Sequence, residues 1–231
     1  MAEIRIQKFI AQAGICSRRK AEDHIFKGHV TVNGQTVQTP GTKIDPEKDD
    51  VRVSGKKASL NTQLIYIALN KPRGIVSSCN HPGEKIVTDL IQLPQRLFPV
   101  GRLDKASSGL LLLTNDGKLH HRISHPSFDH EKEYIVTVRQ TISDNQLQLM
   151  ADGIILDDTK TRPAIVKRSH SRQFHIILKQ GRNRQIRRML EQLNHQVTRL
   201  HRIRIAHISI GNLKPGKWRY LSKKEIFLMS G

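Results

Sequence analysis

The chain is patterned in stretches whose apolar spacing switches between helical and extended periods. Ile6, Phe9, Ile10 and Ala13 recur at i, i+3, i+4 and i+7, one face of a helix that Gly14 ends. Ser17 stands where an N-cap belongs for a second helix with Ala21 and Ile25 inward, and Gly28 closes it. Val30 and Val32 then alternate into Asn33-Gly34, a two-residue hairpin turn. Asp50-Val51-Arg52-Val53 predicts one more short strand. From Gly55 to Gln63 the chain turns polar, which predicts a domain boundary: a small domain over residues 1–60 and a larger one over 64–231.

In the larger domain, Leu64–Leu69 predicts a strand stopped by Lys71-Pro72-Arg73-Gly74. Leu110–Leu113 predicts a fully buried strand stopped by Asn115-Asp116-Gly117. Tyr134, Val136 and Val138 alternate with Ile135 and Thr137, a half-buried strand, and Phe174–Leu178 is another. Ile186, Met189, Leu190 and Leu193 make a helical face, and Ser222 with Glu225 makes a capping box for a last short helix. Strands outnumber helices and are often amphipathic. An α+β fold with a mainly antiparallel sheet flanked by helices is therefore expected. No solenoid repeat and no low-complexity tract interrupts the pattern.

Charge narrows the partners. Thirty-nine Lys and Arg stand against 20 Asp and Glu, a formal net charge of +19, so polyanions are attracted. Nucleic acid is the first candidate and an acidic membrane the second. The longest apolar run, Leu110–Leu113, is too short to cross a bilayer, and the first residues lack the apolar centre of a signal peptide. Cys16 and Cys79 make neither a disulfide framework nor a zinc spacing and fit a reducing cytosol. The expectation is a soluble cytoplasmic protein with no membrane partner. Arg18, Arg19 and Lys20 crowd the start of the second helix, either as a phosphate-gripping end or as a solvated turn. GRNRQIRRM contributes Arg182, Arg184, Arg187 and Arg188, and Arg199, His201, Arg202 and Arg204 follow. Aromatics make up only 4% of the chain, which favours backbone contact with folded RNA over base stacking.

The densest chemistry lies in FPVGRLDKASSGLLLLTNDGKL. Asp104 stands there at the edge of apolar sequence between Arg102 and Lys105. Such a carboxylate can serve as nucleophile or base, or simply cap a turn. His121 and His125, beside His120, have a helical metal-ligand spacing, but Pro126 ends the segment and no catalytic Glu accompanies them. No metal site is expected. The chain also has no G-x-G-x-x-G motif and no P-loop.

Two resemblances sharpen this reading. Residues 5–34, with Ser17-Arg18-Arg19, Ala21, Gly28, Val30, Val32 and Asn33-Gly34, resemble an S4 (α-L) RNA-binding domain. The GRLD motif with SSGLLLLTNDG behind it resembles the catalytic motif of pseudouridine synthases of the RsuA type. LNKPRGIVS, EKEYIVTV and GRNRQIRRM match that family's other motifs in order, over residues 64–220. The wording of the motifs is similar to the RluF branch, which modifies large-subunit ribosomal RNA.

The resemblance implies roles for particular residues. Asp104 would attack the target nucleotide or remove a proton, Tyr134 would stack on the base and help take the proton from C5, and Arg187 would pair with Asp104. Arg102 would enter the RNA where the flipped base had been. Lys71, Arg73, Lys105, Arg182, Arg184 and Arg188 would contact RNA together with Arg18, Arg19 and Lys20, and Leu178 and Ile186 would pack beneath the base. The reaction so implied exchanges a C–N for a C–C bond on one base and needs no cofactor. The expected partner is ribosomal RNA of the large subunit (23S), with small-subunit RNA or tRNA as alternatives, and the expected state is a monomer. A non-catalytic ribosome-assembly factor on the same fold is the rival reading.

Overall fold

The computed structural model describes residues 3–60, 63–124 and 129–230. The chain separates into two compact units. The first holds residues 1–65 with two short returns of the chain, 93–96 and 115–117; the second holds the remainder.

The first unit packs helix α1 (Ile6–Gln12) against α2 (Arg18–Phe26). Two small sheets complete it. One pairs β1 (Ile4–Arg5) with β4 (Lys43–Ile44); the other runs in the order β3 (Gln35–Thr36), β2 (Val30–Val32), β5 (Val51–Val53), β6 (Lys56–Lys57). The apolar face of α1 is buried as its spacing predicts: Ile6, Phe9 and Ile10 meet Ala21 and Ile25 of α2 and Val30 and Val51 of the sheet. The Ser17 side chain caps α2 by accepting from the Lys20 amide at 3.2 Å. Asn33 and Gly34 both have positive φ, 52° and 83°, the geometry a two-residue hairpin needs to follow strand twist.

The second unit is built on one nine-stranded sheet. In chain order its elements begin with β7 (Tyr66–Lys71), β8 (Phe98–Val100), β9 (Ser108–Thr114), α3 (Gly117–Ser124), β10 (Lys132–Val138) and α4 (Asp144–Asp152). A separate hairpin, β11 (Ile155–Leu156) and β12 (Thr159–Lys160), follows. Then come β13 (Ile165–His170), β14 (Gln173–Leu178), α5 (Gln185–Gln192), β15 (Val197–Ile205), β16 (Ile208–Ser209), β17 (Trp218–Tyr220) and α6 (Lys223–Ser230). The main path of the sheet is β13-β14-β10-β15-β9-β7-β17, with β16 on β15 and β8 on β9. Among the described strands of this sheet the pairings are antiparallel except β15 with β9, which is parallel and brings Arg202 opposite Gly109. A Cβ at residue 109, whose φ is +109°, would collide with the Arg202 backbone, so only glycine lets the two strands close. One core lies between α4, α5 and β10, β14 and β15, around Phe174, Ile176, Met189 and Leu190; a second gathers Leu110, Leu112, Leu119 and Ile205.

The α+β, mainly antiparallel architecture is the one the pattern predicts. Two details differ. The strand expected at 64–69 instead runs over Tyr66–Lys71, so Lys71 lies inside it rather than ending it. Several elements go unread in the sequence, among them α3, α4, β8, β13, β15 and β17. Strand β15, VTRLHRIRI, is so rich in cations that its charge hides an alternation burying Leu200 and Arg202 on one face. Among the described residues no helix is long and apolar enough to cross a membrane.

Candidate active site

The sequence places a glycine, a turn and a carboxylate between two buried strands, and the fold makes of them a tightly held loop. Strand β8 ends at Val100; Gly101 follows, its φ of +73° turning the chain toward Arg102, and the loop runs through Asp104 to Ser107 before β9 begins. Four groups from elsewhere hold it. Ser77 Oγ donates to the Leu103 carbonyl at 2.8 Å and accepts from the Leu103 amide at 3.1 Å. The Gly74 amide donates to the Lys105 carbonyl at 2.8 Å. Lys71 Nζ donates to the carbonyls of Pro72 and Ser107, both at 2.9 Å. Arg187 donates to the Ala106 carbonyl at 3.3 Å and to Ser107 Oγ at 3.2 Å. A loop so tied presents its carboxylate in one orientation without help from the substrate.

Asp104 and Arg187 form an ion pair, Nε to Oδ2 at 3.7 Å. Arg187 is 8% exposed, so it is not the solvated neighbour of Arg188 that its place in the helix allows. Burial pulls the Arg187 guanidinium below its ordinary value, and the Asp104 carboxylate pulls the other way. Lys71 is 0% exposed; burial brings its ammonium down to about 8 against the opposing pull of Asp104. The RNA contact expected of Lys71 is therefore corrected: its ammonium faces two backbone carbonyls in the interior, beneath the Asp104 loop.

Asp104 opens onto a cleft of about 220 Å³ within the second unit. Tyr134, Leu178, Ile186, Arg102, Arg182 and Arg184 line it, as expected residues of the site, together with Lys132, Lys179, Arg202 and Asp129. Leu178 and Ile186 are buried and give it an apolar surface. Arg102 and Arg184 are exposed. Arg184 is the N-cap of α5 in left-handed backbone, φ 48° and ψ 30°, without a side-chain cap.

Other expected RNA-binding residues are engaged within the protein. Arg182 donates to the carbonyls of Leu156, Thr159 and Lys160. Arg188 is paired with Asp157, Lys105 with both oxygens of Glu84, and Arg73 reaches the Thr198 carbonyl at 3.3 Å. Arg18, Arg19 and Lys20 lie exposed on the first turn of α2 in the first unit. Of the histidine pair weighed as a metal site, His125 lies outside the described residues.

Several site residues were not singled out by the sequence reading. Ser77 and Ser107 hold the loop. Lys132 donates to the His130 carbonyl at 2.9 Å, and burial lowers its ammonium from the usual lysine range. Arg202, 3% exposed, anchors Nε on the Leu110 carbonyl at 2.7 Å and carries its guanidinium 5.9 Å from the centre of the Tyr134 ring. The signal for Arg202 was present: it is two residues from Leu200, the spacing that turns both inward on a strand.

Comparison with known proteins fits this arrangement. The family pattern of RNA pseudouridylate synthases matches residues 65–192, and that of the S4 domain matches residues 4–51. The chain is 40% identical to an uncharacterized RNA pseudouridine synthase of Aquifex aeolicus, covering 98% of this chain and 93% of that protein. It is 40% identical to the dual-specificity RNA pseudouridine synthase RluF of Escherichia coli K12 (97% and 78%), and 39% identical to ribosomal large subunit pseudouridine synthase B of Bacillus subtilis (96% and 93%). A crystal structure of a pseudouridylate synthase superposes with a TM-score of 0.73 at 30% identity, covering 98% of this chain and 99% of that one. With the family pattern spanning more than half of its length, behind a matching S4 domain, the chain belongs to the RNA pseudouridylate synthase family.

Proposed function

We propose that this enzyme isomerises a uridine of large-subunit ribosomal RNA to pseudouridine, with Asp104 as the catalytic carboxylate. The observation that carries the reading is the Asp104–Arg187 pair, held on a fixed loop at the mouth of a cleft that also exposes Tyr134. In the reaction the C1′–N1 bond breaks, the base turns, and C1′ bonds C5; C5 then loses a proton and N1 gains one. Arg187 pairs with the Asp104 carboxylate and orients it to attack or to accept a proton. Tyr134 stacks on the base and takes part in removing the C5 proton. Leu178 and Ile186 give the uracil an apolar floor. Arg102 and Arg184 meet RNA at the rim, with Arg102 filling the gap left by the extruded base at a cost of a few kcal/mol of unstacking. The substrate assignment is supported by the name of the Bacillus subtilis relative and by the S4 domain, a module that binds RNA.

Tritium release from uridine-labelled ribosomal RNA tests the chemistry. Asp104→Asn is expected to lose at least about 10³-fold in turnover while retaining RNA binding. Pseudouridine maps of ribosomal and transfer RNA from cells lacking the protein test the substrate: one or a few sites should vanish from large-subunit RNA, and loss confined to tRNA or small-subunit RNA would overturn that assignment.

A further inference from the structure

We propose that Arg202 is the positioning residue that sets Tyr134 for removal of the C5 proton, an inference that rests on the function proposed above. Tyr134 and Arg202 are direct partners across β10 and β15. Strand β15 has one extra residue, Ile203, between the partners of Glu133 and Tyr134, and a bulge there re-aims Arg202 relative to a regular ladder. The guanidinium lies 5.9 Å from the Tyr134 ring centre, and NH1 is 3.5 Å from the Tyr134 hydroxyl. Its other end is fixed by the bond from Nε to the Leu110 carbonyl, so the group cannot swing away. NH2 is buried with no hydrogen-bond partner among the described residues. Leaving a charged donor so is costly, and no ion pair among the described residues accounts for it.

A guanidinium only donates, so the contact between NH1 and Oη runs one way. The hydroxyl oxygen accepts from Arg202, and its own proton must point elsewhere. Once C1′ has bonded C5, Oη takes the C5 proton while releasing its own to solvent water. The C5–H electron pair re-forms the C5=C6 double bond, the C6=N1 π pair moves onto N1, and N1 takes a proton from water, so no charge is left on the protein. Arg202 favours this step twice. It fixes the position of the oxygen, and its positive charge stabilises the negative charge that gathers there as the hydroxyl proton departs.

Single-turnover rates on RNA with protium or deuterium at C5 of the target uridine test this. Arg202→Gln is expected to slow turnover about tenfold or more with RNA binding little changed. Its isotope ratio should rise above that of the wild type, because the step it impairs has become limiting. Arg202→Lys should recover part of both. In a Tyr134→Phe background, Arg202→Gln should cost little further. A slow Arg202→Gln with the wild-type isotope ratio, or full additivity with Tyr134→Phe, overturns the inference. So does failure of both Arg202 variants to melt cooperatively, which would make the side chain purely structural. If the wild type itself forms no pseudouridine, the proposed function fails instead, and that result is read from the same assay.

Discussion

At the scale of single residues, the site is a balance between burial and charge. Arg187 loses solvation to stand beside Asp104, and three of its contacts converge on one loop. Arg187→Met should therefore lower kcat about a hundredfold with KM little altered, since the guanidinium does not line the cleft; steady-state kinetics on an RNA fragment checks this. Lys71 makes a prediction of the opposite kind. Its folded-state value, about 8, lies below the ordinary 10.5, so between those limits the unfolded chain holds more protons than the folded one. Wild-type stability relative to Lys71→Met should rise with pH across that window and fall away as pH drops through about 8. Paired denaturant titrations at the two ends of the window would show it, and a difference independent of pH would contradict it. Motif order singles out Asp104 and Tyr134 in the sequence, and the fold brings both to one cleft. The inward turn of Lys71 is not legible there, because burial of a lysine depends on Pro72 and Ser107 presenting carbonyls to it.

At the scale of elements, the parallel join of β9 with β15 decides the geometry. Strands β9 and β15 meet where Gly109 faces Arg202, and nothing larger than hydrogen fits. Gly109→Ala combines a backbone angle unsuited to L-residues with a collision against main chain, so it should cost more than about 2 kcal/mol. A shift of the urea midpoint measures this, and a near-neutral variant would refute it. Local pattern announced the two N-terminal helices, the Asn33-Gly34 hairpin and the Ser222–Glu225 box, because each depends on neighbours in sequence. Strands β13 and β15 escaped notice because their cationic residues are tolerated only by partners distant in the chain. Arg204, for example, bonds Glu131 and Glu133.

At the scale of the whole molecule, a charge of +19 makes RNA affinity steeply dependent on salt. Arg18, Arg19 and Lys20 are exposed on α2 in the unit matched by the S4 pattern. Replacing all three with Ala should weaken binding and lower the salt slope by about two to three, with single-turnover chemistry at saturating RNA unchanged. An unaltered slope would assign those cations to mere solubility. The parallel join has one more consequence, in time rather than in space. Ser108 and His201, hydrogen-bonded at that seam, are 93 positions apart. A ring of chain that long must close before Arg202 gains its anchor on the Leu110 carbonyl of β9, whereas the hairpins and helices form from local contacts. During refolding, helical and strand signals should therefore return ahead of turnover, and the newly made enzyme should pass through a folded-looking but inactive interval.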